Sequence, residues 1–81
     1  MNHVAKTLIV LKALFHHIPI QVGPRTYSLK EIPTSGLPQF AITVKAGDDE
    51  WMEYNWSMNW LVNFSDKLSD DELQTLAAQV A

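Results

Sequence analysis

The fold is decided by residues 39–56, which read QFAITVKAGDDEWMEYNW. Apolar and polar side chains alternate through residues 39–45 and again through 50–56, which is the period of a strand with one buried face. Gly47 and the two aspartates after it are turn-forming residues. Because so short a connection joins neighbouring antiparallel strands, the segment predicts a β-hairpin.

The second strand of this hairpin carries most of the chain's aromatic excess. Its alternation places Tyr54 and Trp56 on the core face and leaves Trp51 on the opposite face, between Glu50 and Glu53. An exposed tryptophan ringed by acids is typical of the anchor of a protein interface. The alternatives are an ordinary solvated turn and a Trp51 covered by a second layer or by another copy of the chain. The predicted protein-binding residues are Asp48, Asp49, Glu50, Trp51 and Glu53.

Upstream of the hairpin, residues 25–32 alternate and predict one more strand, after a turn at Gly23-Pro24. Residues 2–16 predict a helix that Asn2 caps and that Pro19 prevents from continuing. One face of that helix is apolar at steps of three and four, and it consists of Val4, Leu8, Leu11, Phe15 and Ile18.

This first helix is too apolar for one buried face. Val10 and Leu14 lie outside the stripe, so the helix favours contact on more than one side. We therefore expect Leu8, Leu11 and Phe15 to pack on the sheet, with Val10 and Leu14 left for a second copy of the chain.

Two further helices are predicted after the hairpin. Ser57 can cap the first of them, whose apolar stripe is Trp60, Leu61, Phe64 and Leu68. Residues 69–72 read SDDE, a capping box that begins the second, whose apolar face is Leu73, Leu76, Ala77 and Val80. The sequence thus predicts one α+β domain over residues 1–81, with an N-terminal helix, a three-stranded antiparallel sheet and two C-terminal helices in two layers.

The charges are unevenly distributed along the chain. The net charge is −3, but residues 1–47 carry +4 and residues 48–81 carry −7 when lysine, arginine and acids are counted. Either the two halves fold together and neutralise each other, or the surface has an acidic face suited to a basic partner.

Several classes of function lack support in the sequence. There is no cysteine, which excludes disulfides, thiol catalysis and cysteine-ligated zinc and favours a reducing compartment, so we expect a cytoplasmic location. No catalytic, cofactor or metal motif is present, and His3, His16 and His17 lack the spacing of a helical metal pair. The basic residues do not cluster near aromatics, which argues against nucleic-acid binding. The apolar run at 8–15 is too short to cross a membrane.

These observations predict a small, non-enzymatic protein-interaction module without a cofactor. It would be an adaptor, regulator or inhibitor of the kind found among phage or mobile-element accessory proteins. It would dock on a protein with a basic surface through the acidic-aromatic hairpin. The alternative is a structural or assembly protein that forms a homo-oligomer, such as a homodimer, through its apolar first helix.

Overall fold

The computed structural model describes residues 1–81. It confirms an α+β fold with one helix before the sheet and two after it. The elements are α1 (His3–Phe15), β1 (Ile20–Val22), β2 (Arg25–Ile32), β3 (Gln39–Ala46), β4 (Asp49–Glu53), α2 (Met58–Ser65) and α3 (Asp70–Gln79). The strands form one antiparallel sheet in the order β1-β2-β3-β4, so each strand lies beside its neighbour in sequence.

The prediction of three strands was wrong, because the sheet has four. The additional strand, β1, pairs with the start of β2, with Ile20 opposite Tyr27 and Val22 opposite Arg25. Gly23 joins the two strands with a φ of +59°, and a glycine at the first central position followed by proline suits a type II′ hairpin turn. A strand of three residues is too short for alternation to reveal it, although the turn itself was predicted.

The β3–β4 hairpin is confirmed, with Gly47 at a φ of +60° in its turn. The predicted end of β4 was wrong, because the strand stops at Glu53 and not at residue 56. The predicted faces were wrong as well: Trp51 lies opposite Val44 and therefore shares the core face with it. Tyr54 lies beyond the strand and is exposed, and its spacing of three residues from Trp51 would place it on the opposite face even in a longer strand.

One face of the sheet packs against the helices and forms the core. The sheet supplies Ile20, Tyr27, Leu29, Ile42 and Val44; the helices and their connection supply Val10, Ala13, Leu14, Leu61, Phe64, Leu68, Leu73 and Leu76. The predicted helix starts are confirmed. The side chains of Asn2 and Ser57 accept hydrogen bonds from Ala5 N and Trp60 N, and Ser69 forms the predicted capping box.

The buried face of α1 is not the predicted one. Val10 and Leu14 are completely buried, whereas Leu8 and Phe15 are exposed. Spacings of three and four residues occur on both sides of this helix, so the sequence contains two overlapping apolar stripes. The buried side also contains Thr7 and Ala13, whose short side chains allow α1 to approach α2 and α3 closely.

Candidate protein-binding surfaces

The hairpin places its predicted binding residues at two separate sites. Asp48, Asp49 and Glu50 are exposed at the turn. Glu53 is half-buried at the other end of β4, about 10 Å from Glu50 at the usual rise of a strand. The structure therefore gathers three of the four acids into an acidic tip, Asp48–Glu50, and leaves Glu53 apart.

Trp51 is half-buried and packs against the core. The Arg25 guanidinium lies over its ring, 5.1 Å from the ring centre, in a cation–π arrangement. Trp51 is thus not the freely exposed anchor that the alternation predicted. The acidic tip offers charge without a protruding aromatic side chain.

Close contacts between acids and basic groups occur at only one end of the fold. The N-terminal amino group lies 3.7 Å from Asp70, and Asp66 lies 3.3 Å from His3 and 3.6 Å from Lys6. These contacts join the start of α1 to the α2–α3 region. The acidic tip is not part of any such pair.

The most extensive apolar surface is on α1. We call Val4, Leu8, Leu11 and Phe15 the α1 stripe, since their spacings of four, three and four residues place them on one face. The exposed fractions are 69% for Val4, 58% for Leu8 and 46% for Phe15, and Leu11 is half-buried.

The α1 stripe is bordered on both sides by other elements. Phe15 contacts Phe40 of β3 edge to face, with ring centres 5.3 Å apart. On the other side, Leu8 and Lys12 line a shallow groove with Val80 and its neighbours at the end of α3. The stripe is therefore the centre of a continuous surface. Lys12 lies beside Leu8 at the edge of the stripe that faces this groove.

Sequence reasoning found the residues of this stripe but assigned them to the core. The only signal for the correct orientation was the size of the residues on the other side, where Thr7, Val10 and Ala13 are all small enough for close helix packing. Hydrophobicity alone favoured the wrong face, because Leu8, Leu11 and Phe15 are larger.

The histidines and acids do not assemble into a metal-binding group of three or more. His16 and His17 are exposed at the C-terminal end of α1, and His17 has a φ of +58° that helps to end the helix. None of the helices has the length and apolar character needed to cross a membrane.

No family model, curated protein or solved structure matches this chain.

Proposed function

We propose that this protein is a non-enzymatic protein-interaction module and that its main binding surface is the α1 stripe. The observation that carries the proposal is the exposure of Val4, Leu8 and Phe15 on one face of one helix. Single exposed apolar residues are common and need no explanation, whereas a contiguous patch with a polar rim marks an interaction site.

The size of the patch sets the expected affinity. The exposed parts of Val4, Leu8 and Phe15 amount to roughly a few hundred Å², which is comparable with the largest and often functional patch on a monomer. A standard interface buries about 800 Å² per partner, so the stripe with its rim corresponds to the small, weak class. We therefore expect a dissociation constant in the micromolar range.

The partner that fits this surface is a second copy of the chain, with the two α1 helices antiparallel. The spacing of the stripe is the same in both directions. A two-fold axis between Leu8 and Leu11 therefore places these two residues against each other across the interface, and places Val4 against Phe15. A small residue then faces a large one at each end, which keeps the helix separation even.

The helix dipoles favour the antiparallel arrangement of the two α1 helices. In the antiparallel pair the two helix dipoles oppose each other favourably, whereas a parallel pair brings like ends of the two dipoles together. No acid lies in the first turn of α1, so nothing there would offset the repulsion between the two N-terminal helix ends of a parallel pair.

The test is sedimentation equilibrium of the purified protein, at concentrations up to about 1 mM to cover weak association. We expect a reversible dimer that is lost in Leu8→Lys, because the substitution places a charge at the centre of the interface. Leu37→Lys is the matched control, since Leu37 is 88% exposed in the β2–β3 loop and outside the stripe. A monomer at every concentration, or equal weakening by both substitutions, would overturn the proposal.

A second candidate surface is the acidic tip, whose three acids are exposed and make no ion pair. It suits a partner with a basic surface and matches the hairpin docking expected from the sequence, with Trp51 contributing only its exposed part. The test is capture from cell extract on the immobilised protein. We expect a captured partner to bind again in purified form and to bind less tightly as the salt concentration rises. We expect its binding to be lost when residues 48–50 are changed to lysine. Capture of the same partner by this variant would show that the acidic tip does not bind it.

A further inference from the structure

A second kind of binding site lies between β2, the end of β4 and α2. It is a pocket of about 130 Å³ with an aromatic floor made of Tyr27, Trp60 and Phe64. The rings of Trp60 and Phe64 are stacked with centres 4.9 Å apart, and the ring of Tyr27 meets both edge to face at 6.2 and 4.7 Å. Because each ring holds the other two in place, the floor is preformed.

The hydroxyl of Tyr27 provides the first indication of a ligand. Tyr27 is only 4% exposed, and its hydroxyl makes no hydrogen bond within the protein. The fully buried side-chain oxygens that lack a partner belong to Thr7 and Thr43, so the Tyr27 hydroxyl retains access to the pocket that the residue lines. Because the hydroxyl has no partner within the chain, it is free to donate a hydrogen bond to a group that enters the pocket.

Two cations at the rim provide the second indication. Arg25 and Lys67 line the pocket, and neither takes part in an ion pair. The ring of Trp51 supports the face of the Arg25 guanidinium, which leaves the N–H groups at its edges free to donate. Asn63 adds an amide that makes no hydrogen bond within the protein. The available groups are therefore mostly donors.

Size and charge narrow the chemistry of the ligand. Glu53 is the acid in the pocket, so with Arg25 and Lys67 the formal charge is +1. The volume of about 130 Å³ is well below the roughly 300–1,000 Å³ of pockets that enclose drug-sized ligands. A singly charged planar group with a short apolar stem fits these limits, whereas a phosphate dianion would exceed the charge.

We propose that this pocket binds a carboxylate group, with Arg25 and Lys67 as ion-pair partners and the Tyr27 hydroxyl as a hydrogen-bond donor. The carboxylate can belong to a free small organic acid or to the C-terminus of a partner's peptide chain. The proposal does not depend on the α1 stripe, which lies on another part of the fold.

The experiment is a titration of the ¹⁵N-labelled protein followed by NMR at constant ionic strength. The probes are propionate and a short peptide with a free C-terminus, each paired with its neutral amide. We expect saturable shifts at the pocket residues with the two acids and none with the two amides. Saturable binding of both acids would show that a carboxylate group is sufficient for binding. Saturable binding of the peptide but not of propionate would show that the site requires a chain terminus. Either result supports the proposal.

The variants separate specific binding from general charge attraction. We expect Lys67→Gln to weaken binding at least tenfold and Tyr27→Phe, which keeps the ring, to weaken it about threefold to tenfold, as for one lost hydrogen bond. Lys45→Gln is the matched control, because that lysine lies on the opposite face of the sheet and should change nothing. Shifts that the amides reproduce, or affinities that Lys67→Gln and Tyr27→Phe leave unchanged, would overturn the proposal, as would no binding of either acid.

Discussion

The indole N–H of Trp56 donates a hydrogen bond of 3.0 Å to the main-chain carbonyl of Phe40. β4 ends at Glu53, opposite Ile42, so the first residues of β3 extend beyond the strand that should pair with them. A carbonyl on an unpaired stretch of strand needs a partner when it is partly buried. Trp56 supplies that partner from the connection between β4 and α2, and so holds the connection against the sheet.

We expect Trp56→Phe to lower the free energy of unfolding by about 1 kcal/mol, because it keeps an aromatic ring and removes this hydrogen bond. The measurement is urea unfolding followed by far-ultraviolet circular dichroism, which does not depend on tryptophan fluorescence. Tyr54→Phe is the control, since Tyr54 is exposed and makes no hydrogen bond through its hydroxyl, and its stability should match the wild type. Equal stability of the two variants would show that the Trp56 contact contributes nothing.

The orientation of α1 predicts opposite results for the same substitution at two positions. Leu14→Ala should lower the free energy of unfolding by about 2–5 kcal/mol, because Leu14 is completely buried and its loss leaves a cavity. Leu8→Ala should change it by less than about 0.5 kcal/mol, because Leu8 is exposed. Denaturant unfolding at low protein concentration, where self-association is negligible, checks both values. The reverse order would mean that the other face of α1 is buried.

The antiparallel arrangement of α1 predicts which single cysteines can cross-link two chains. With the two-fold axis between Leu8 and Leu11, the two copies of position 8 are about 4.5 Å apart along the helix axes, and the two copies of position 4 are about 16 Å apart. Leu8→Cys should therefore form a disulfide-linked dimer under mild oxidation, and Val4→Cys should not. The chain has no cysteine of its own, so the background is zero. Efficient cross-linking at position 4 would indicate parallel helices.

The capping box of α3 predicts a contribution to stability that depends on acid pH. The backbone N–H of Ser69 donates to the Glu72 carboxylate at 3.0 Å, and this bond is the largest cause of a lowered pKa. A side-chain hydrogen bond with Ser69 also lowers the pKa of Glu72 below its ordinary value of 4.5, while desolvation acts weakly in the other direction. Folding therefore favours the charged form.

The sign of the pH effect follows from that shift. The stabilisation is complete above the ordinary pKa of 4.5 and is lost as the pH falls through the lowered pKa of the folded state. Glu72→Gln keeps an acceptor but cannot titrate, so its stability should fall less than that of the wild type over this window. Glu31→Gln, at an exposed acid outside any ion pair, should follow the wild type. Parallel curves for Glu72→Gln and the wild type would contradict the prediction.

Much of the secondary structure could be predicted because its causes are local. The cap at Asn2, the capping box at Ser69 and Glu72, and the turn at Gly47 all depend on residues within a few positions of one another. Neighbouring residues restrict the backbone in the same way whatever the rest of the chain does. β1 was missed for a related reason, since three residues carry too little local pattern and the strand is stabilised by its pairing with β2.

The candidate surfaces were predicted less well because they depend on which face of an element is covered. Trp51 was assigned to the exposed face by extending an alternation to residue 56 that the structure ends at Glu53. Its register with Val44 places it on the core face, under Arg25. The acidic tip is exposed, because Asp48 lies in the turn and Asp49 and Glu50 begin the edge strand β4, where acidic side chains remain solvated.

The sequence by itself determined the order of the helices, the β3–β4 hairpin and the helix starts, because these are set by short-range hydrogen bonds and by the period of apolar residues. Only the tertiary structure decided that Leu14 is buried and Leu8 exposed, since both faces of α1 are apolar and close packing with α2 and α3 selects between them. Only the tertiary structure could bring Arg25, Tyr27 and Lys67 to one pocket. The first and last of these residues are about 40 positions apart in the sequence, and no local sequence pattern indicates that they are close in the fold.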